Sequence, residues 1–245
     1  MIEPRLFLCS GARTTRGDPI ESGRKRVELN SIGPDANVNI CFQDVARKLE
    51  RQLPSRLTDL LEIAAYVYAA DCATQRGRQW TDGHSTEPWT RDFAFVIAVR
   101  EPDFWASPKI NSPLTELLTF LSNDKYSFTF VPLDRERPGQ QKYFEFGDQE
   151  DWPFHAPERV IMFSGGLDSL AGAVEMARTG GGLTLVSHRP VSTLSSRQRN
   201  LFRELKREFP GRLIRVPVWI NKQEGLGRES TQRTRSFLYA ALGPW

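Results

Sequence analysis

The sequence predicts an α+β domain followed by an α/β domain with a doubly wound parallel sheet, the second of them incomplete. Three observations lead to this prediction. Residues 1–150 mix apolar strands and amphipathic helices without a regular order, whereas residues 159–245 alternate strand and helix three times. Residues 151–158 lie in an acidic, proline-containing stretch that is typical of a linker. A chain of 245 residues suits one large domain or two modest ones.

The elements of the first domain follow from hydrophobic periodicity. Ser55 is placed to cap a long helix in which apolar residues recur every three or four positions up to Cys72, so that one face is buried. Residues 126–133 and 142–146 alternate apolar and polar side chains, which favours a half-solvated antiparallel sheet closed by a hairpin. The other predicted elements are strands at 6–9, 38–42 and 92–100 and helices at 43–52 and 112–121, the last with Pro113 in its first turn.

The second domain is predicted from a regular alternation of elements. Three glycines, Gly180 to Gly182, end the first helix of this domain and lead into the next strand. Strands joined by helical crossovers run parallel, so the pattern indicates a doubly wound sheet. The predicted strands are 159–163, 183–187 and 212–218, and the predicted helices are 168–178, 195–209 and 229–242.

Composition restricts the class of protein and its compartment. No run of 18 apolar residues occurs, which argues against a membrane-spanning helix. The three cysteines, Cys9, Cys41 and Cys72, are widely spaced and include no C-x-x-C pair. A disulfide scaffold and a zinc site made of cysteines are therefore disfavoured, and buried thiols in a reducing, cytoplasmic setting are predicted.

The net charge of +3 is the sum of a negatively charged first part of the chain and a positively charged last part. Residues 1–157 carry 19 basic and 23 acidic side chains, whereas residues 158–245 carry 14 and 7, and twelve of those 14 are arginines. The guanidinium fork of arginine pairs well with phosphate, so an anionic ligand is expected in the last third of the chain. Aromatic residues do not alternate with these arginines, which argues against nucleic acid as that ligand.

The motif that carries chemistry is S-G-G-L-D-S at residues 164–169, between a predicted strand and a predicted helix. Ligands of parallel α/β sheets bind at the carboxyl ends of the strands, where a helix N-terminus offers backbone N–H groups to phosphate. Gly165 and Gly166 allow close approach of the backbone, and Ser164 and Ser169 add hydroxyl donors. Asp168 would repel phosphate unless Mg²⁺ lay between them. Neither G-K-[ST] nor G-x-G-x-x-G is present, which excludes the two commonest phosphate-loop signatures.

In this setting the motif resembles the PP-loop of the ATP pyrophosphatases, which have a HUP-like fold. The resemblance implies that the loop holds the pyrophosphate part of ATP, and that these enzymes split ATP into AMP and pyrophosphate while they adenylate a substrate. The residues it implies for ATP binding are Ser164, Gly165, Gly166, Leu167, Asp168 and Ser169, with Asp168 also holding Mg²⁺.

A second segment narrows the resemblance to the 7-cyano-7-deazaguanine synthases (QueC) of queuosine biosynthesis. Residues 232–241 look like their segment in which an arginine precedes a helix rich in Leu, Tyr and Ala. Arg235 matches that arginine and is thereby a candidate catalytic residue. The chain is most similar to the QueC-like proteins of antiphage-defence systems of the Qat type, which carry an N-terminal domain of about this length. Candidates for nucleotide or substrate contacts are His188, Arg197, Gln198 and Arg233.

The chain also departs from that family. The family holds zinc through cysteines near its C-terminal end, whereas no cysteine follows Cys72 here, so the expected zinc lacks its ligands. A complete doubly wound domain has about five strands, and the pattern shows three. We therefore expect a chain that is truncated at its C-terminal end. The sequence does not decide whether such a chain is active.

Two hypotheses follow for function. In the first, the chain is a ligase-type enzyme that uses Mg·ATP to activate a carboxylate on a deazaguanine-like or other small substrate for amide or nitrile formation. In the second, it is a non-catalytic nucleotide-binding or partner-docking component of a defence complex. Defence-system proteins are expected partners in both, and a membrane in neither.

Overall fold

A computed structural model describes residues 3–15, 17–31, 33–41, 54–77, 89–134, 158–188, 192–229 and 232–243. The strands are β1 (Arg5–Cys9), β2 (Lys25–Leu29), β3 (Val38–Cys41), β4 (Asp92–Val99), β5 (Lys125–Pro132), β6 (Arg159–Met162), β7 (Leu183–His188) and β8 (Leu213–Lys222). The helices are α1 (Ser55–Ala73), α2 (Pro102–Ala106), α3 (Pro108–Ser122), α4 (Leu167–Arg178), α5 (Ser192–Glu208) and α6 (Arg235–Leu242). The result is a mixed α/β protein with parallel sheets and flanking helices.

The first sheet has the strand order β2-β1-β4-β5, and all its neighbouring strands are parallel. Among the described strands β5 pairs in parallel, with β4, and not in the antiparallel manner expected for residues 126–133. The helices α2 and α3 lie between β4 and β5, and such a crossover returns the chain in the same direction. The alternation along β5 arises because one face of this strand is buried and the other is exposed. The proposed partner strand at 142–146 and its hairpin lie outside the described residues.

Helix α1 confirms the helix predicted to start at Ser55, but burial extends all around it. Almost every residue from Thr58 to Ala73 is buried, including three carboxylates. A one-sided stripe was expected because apolar residues recur at steps of three and four positions. The buried carboxylates are those of Asp59, Glu62 and Asp71. They are buried because arginines pair with them, as described below, and paired charges can enter an interior. The helix predicted at 43–52 lies outside the described residues.

Helix α3 begins earlier than predicted. Pro108 takes the first turn of the helix, and Pro113 lies inside it instead of at its start. Proline suits the first turn of a helix because backbone N–H groups have no helical partner there, so the missing N–H costs nothing. Pro108 occupies such a position. The helix ends at Asn123, which adopts the left-handed conformation with φ of 60°.

The second sheet has the strand order β3-β8-β7-β6, in which β6, β7 and β8 are parallel. This confirms the three strands and the helices α4 and α5 expected after residue 158. The final helix is shorter than predicted, since it begins at Arg235 and not at residue 229. The strand expected at 38–42 is present as β3 and belongs to this sheet. Its apolar core contains Phe163, Ala173, Ala177, Leu183, Leu185, Leu205 and Leu213.

Contacts divide the chain into two compact units. The first unit comprises residues 1–39, 58–140 and 222–238, and the second comprises residues 40–57, 141–221 and 239–245. The boundaries inferred from sequence at 150 and 159 stay a prediction, and residues 151–157 of the expected linker lie outside the described part. Within the described helices, none combines the length and apolarity needed to cross a bilayer.

Two glycines of the second unit should respond oppositely to replacement by alanine. A Cβ at Gly172, in the interior of α4, would meet no atom within 4 Å, and its φ is not positive. We expect Gly172→Ala to raise the free energy of unfolding by about 0.5–1 kcal/mol, because alanine is the better helix former. Gly211 also has open space but a φ of +74°, so Gly211→Ala should lower stability. Urea denaturation checks both signs, and a loss of stability in Gly172→Ala would contradict the first.

Candidate functional site

The S-G-G-L-D-S segment forms a tight loop at the carboxyl end of β6, where α4 begins. Gly165 is buried and adopts φ of +82°, a conformation that glycine takes without strain. The Ser164 hydroxyl donates to Oγ of Ser169 at 3.1 Å and accepts from the Gly166 N–H at 3.3 Å. Ser169 in turn donates to the Gly166 carbonyl at 3.0 Å. The two serines therefore hold the loop in shape.

The outer part of the loop is open to solvent. Gly166, Leu167 and Asp168 are all exposed, and Leu167 retains 80 % of its accessible surface. Gly166 occupies the N-cap of α4, and no side chain caps the N–H groups of the first turn. A helix start of this kind can bind an anion through its N–H groups and its dipole. The Asp168 carboxylate lies in that first turn and is exposed, so its oxygens are accessible to a hard cation.

Gln198 supports the loop from α5. This residue is fully buried, and its Nε2 donates to the carbonyls of Ser164 and His188, each at 3.1 Å. Its Oε1 accepts from Arg215 at 3.2 Å. A single amide thus joins the carboxyl ends of two parallel strands, β6 and β7. These hydrogen bonds give Gln198 a positioning role, and its predicted contact with a nucleotide or substrate stays a prediction.

His188 is also fully buried. Its Nε2 lies 2.9 Å from the carbonyl oxygen of Ile220, and its ring packs edge-on against Tyr239 with 5.8 Å between centroids. The ring therefore lies in the interior of the second unit, and a ligand contact by His188 stays a prediction. Arg197, by contrast, is exposed on α5, one residue before Gln198.

Arg233 and Arg235, the two candidate arginines of residues 232–241, belong to the first unit. Arg235 is half-buried as the first residue of α6, and its N–H donates to the Gln232 carbonyl at 3.3 Å. Arg233 is exposed, and its guanidinium lies 5.1 Å from the centroid of the Trp89 ring. The structure thus brings Ser164, Ser169, Gln198 and His188 together within the second unit.

Asp71 positions the start of α6, a role that sequence reasoning missed. Its Oδ2 accepts from the N–H and from the hydroxyl of Thr234, at 3.0 and 2.9 Å. Both residues are fully buried, and Thr234 immediately precedes the candidate catalytic Arg235. In the sequence, the one sign of this role is that Asp71 is an acidic residue among the apolar positions of α1.

A buried charge cluster holds Asp71 in turn. Nη2 of Arg91 lies 2.6 Å from Asp71 and 2.6 Å from Asp124, and Arg76 lies 2.8 Å from Asp124. Burial by itself lowers the pKa of the Arg91 guanidinium, but the hydrogen bonds and charges of Asp124 and Asp71 outweigh it, so that the pKa is raised. Two arginines and two aspartates make the cluster formally neutral. A second buried network joins Arg100 to Asp59 and Glu62.

The described residues hold no group of three or more His, Cys, Asp or Glu side chains arranged to bind a metal ion. Cys9 and Cys72 are buried free thiols. Burial raises the pKa of the Cys9 thiol well above its usual range, so this thiol stays protonated and unreactive at neutral pH.

Comparisons of the chain with protein-family models, with curated proteins and with solved structures find no significant match. The fold and the loop define this protein as an α/β protein with a glycine-containing loop between a parallel strand and the helix that follows it.

Proposed function

We propose that this chain binds Mg·ATP at the loop of residues 164–169. The observation that carries the proposal is the geometry of this loop at the carboxyl end of a parallel strand. Gly165 turns the backbone at positive φ, and the uncapped first turn of α4 is exposed beside it. Ligands of parallel α/β sheets bind at the carboxyl ends of the strands, where this loop lies.

The residues of the loop fit the triphosphate of ATP. Gly166 has no side chain, so a phosphate can approach the first N–H groups of α4. The Asp168 carboxylate would hold the magnesium ion, which also removes the repulsion between that carboxylate and the phosphates. Ser164 and Ser169 would keep the loop in its binding shape, and Gln198 would fix the loop to β7.

We extend the proposal to a PP-loop ATP pyrophosphatase of the QueC-like, antiphage-defence type. Bound ATP would supply an AMP group to a substrate carboxylate, with pyrophosphate as the leaving group. The S-G-G-L-D-S motif and the segment of residues 232–241 support this extension. The substrate in this proposal is a small carboxylate of the deazapurine kind.

The magnesium dependence of ATP affinity tests the role of Asp168. Isothermal titration with ATP should show at least tenfold weaker binding for Asp168→Asn than for the unchanged protein when Mg²⁺ is present. With EDTA the loss should vanish or reverse, because Asp168 then only repels the phosphates. Glu175→Gln is the matched control, since Glu175 is an exposed carboxylate on the same helix.

Product analysis then separates the two hypotheses for function. Formation of AMP and pyrophosphate from bound ATP supports the adenylating enzyme. Tight Mg·ATP binding without AMP, across a panel of carboxylate acceptors, supports a non-catalytic nucleotide-binding component. Failure to bind ATP at all, or an equal loss for Glu175→Gln, removes the loop from consideration as the nucleotide site.

A further inference from the structure

A cavity lies wholly within the first unit, beside the carboxyl-terminal end of α1. Its volume is about 570 Å³, a size typical of small-molecule sites. Its walls are mostly polar, and none of its residues belongs to the loop of residues 164–169. The lining residues used below are Gln75, Arg76, Lys222, Arg228, Glu229 and Gln232.

Hydrogen bonds fix the walls of this cavity. The N–H groups of Arg228 and Glu229 both donate to the Cys72 carbonyl at 2.9 Å, and thus satisfy one of the last carbonyls of α1. Glu229 accepts from the N–H of Arg76 at 2.8 Å. Tyr68 donates from its hydroxyl to Oε1 of Gln232 at 3.2 Å. The cavity is therefore a built feature, anchored to a helix that is buried along its length.

Among the described residues that line the cavity, the charges do not cancel. Arg76 belongs to the neutral buried cluster, which leaves Lys222 and Arg228 against Glu229. The Lys222 ammonium lies 5.4 Å from the centroid of the Tyr68 ring, and Arg228 is exposed. These two cations are of the kinds that recognise oxyanions, one as a point charge and one as a planar fork.

Observations on two arginines, Arg76 and Arg5, favour an anion in this cavity. Arg76 is 8 % exposed, and its Nε is buried without a hydrogen-bond partner among the described residues. Burial lowers the pKa of Arg5, and although Glu3 opposes this shift, the nearby charges of Arg228 and Arg91 lower the pKa further. A bound anion would relieve this repulsion.

We propose that this cavity is a second binding site, which takes a small polar molecule through its carboxylate or phosphate group. Lys222 and Arg228 would bind the oxyanion, while the amides of Gln75 and Gln232 would bind polar groups on the rest of the molecule. Carboxylate and phosphate share the same chemistry here, so the probes below include both. This site is independent of the ATP site proposed at the loop.

The test uses the full chain with inorganic phosphate, and separately with acetate, as probes at constant ionic strength set with NaCl. A ligand that binds the folded state raises the unfolding temperature in a saturable way. We expect phosphate, acetate or both to do so, and we expect Arg228→Gln to weaken the affinity at least tenfold. Lys222→Gln should act in the same direction. Lys109→Gln, which removes an exposed cation from the same unit, should leave the affinity unchanged.

Three results would overturn the proposal. The first is the lack of saturable stabilisation by either probe. The second is an equal loss in Lys109→Gln, which would indicate general screening of positive charge. The third is phosphate binding that survives in Arg228→Gln but disappears in Gly165→Ala, which would place the phosphate at the loop. The last two variants therefore separate a failure of this site from a failure of the ATP site.

Discussion

Arg91→Met is expected to destabilise the first unit by about 3–5 kcal/mol, the usual cost of removing one partner from a buried ion pair. The Arg91 side chain is fully buried between Asp71 and Asp124, and it also donates to the Asp71 carbonyl at 3.0 Å. Methionine fills much of its volume but leaves two aspartates facing each other, and Arg76 is then the one cation that pairs with them among the described residues. The free energy of unfolding in urea at neutral pH measures the effect.

A surface pair provides the matched control for this prediction. Arg207 and Glu204 form an ion pair on α5, with 74 % and 57 % of their side chains exposed. Such pairs contribute about 0–1 kcal/mol, so Arg207→Met should change the free energy of unfolding little. A comparably small loss for Arg91→Met would contradict the account of the buried cluster as a cooperative charge network.

Gly165→Ala is expected to disrupt the proposed ATP site. A Cβ at Gly165 would lie 3.0 Å from Cγ of Gln198, and the φ of +82° disfavours any side chain. We expect a stability loss of about 1–2 kcal/mol from the left-handed backbone. Mg·ATP affinity should fall at least tenfold, because the loop and Gln198 must shift together. Isothermal titration and urea denaturation measure the two effects separately.

The control for Gly165→Ala is Gly172→Ala, which adds the same methyl group to α4 without a close contact. That variant should keep its ATP affinity. If Gly165→Ala also binds Mg·ATP with unchanged affinity, the backbone of this loop does not approach the phosphates, and the proposed site is wrong.

Local patterns were enough to find most of the described elements and the loop. Helices α1 and α5 were predicted because apolar residues recur along them at helical spacing, and β4 and β6 because each is a short apolar run. The loop was found because two glycines and two serines between a strand and a helix are informative in sequence alone. The start of α6 was misplaced because tertiary hydrogen bonds, and not helical ones, hold Glu229 and Thr234.

The sequence by itself determined the order of the α/β elements and the composition of the loop, because both depend on neighbours along the chain. Only the tertiary structure decided that β5 pairs in parallel with β4, and that Asp71, Arg76, Arg91 and Asp124 form one buried cluster. It also decided that Gln198 supports the loop and that Arg76, Lys222 and Arg228 share one cavity. These residues are far apart in sequence, and burial of a charge is favourable only where its partner lies within reach in the folded chain.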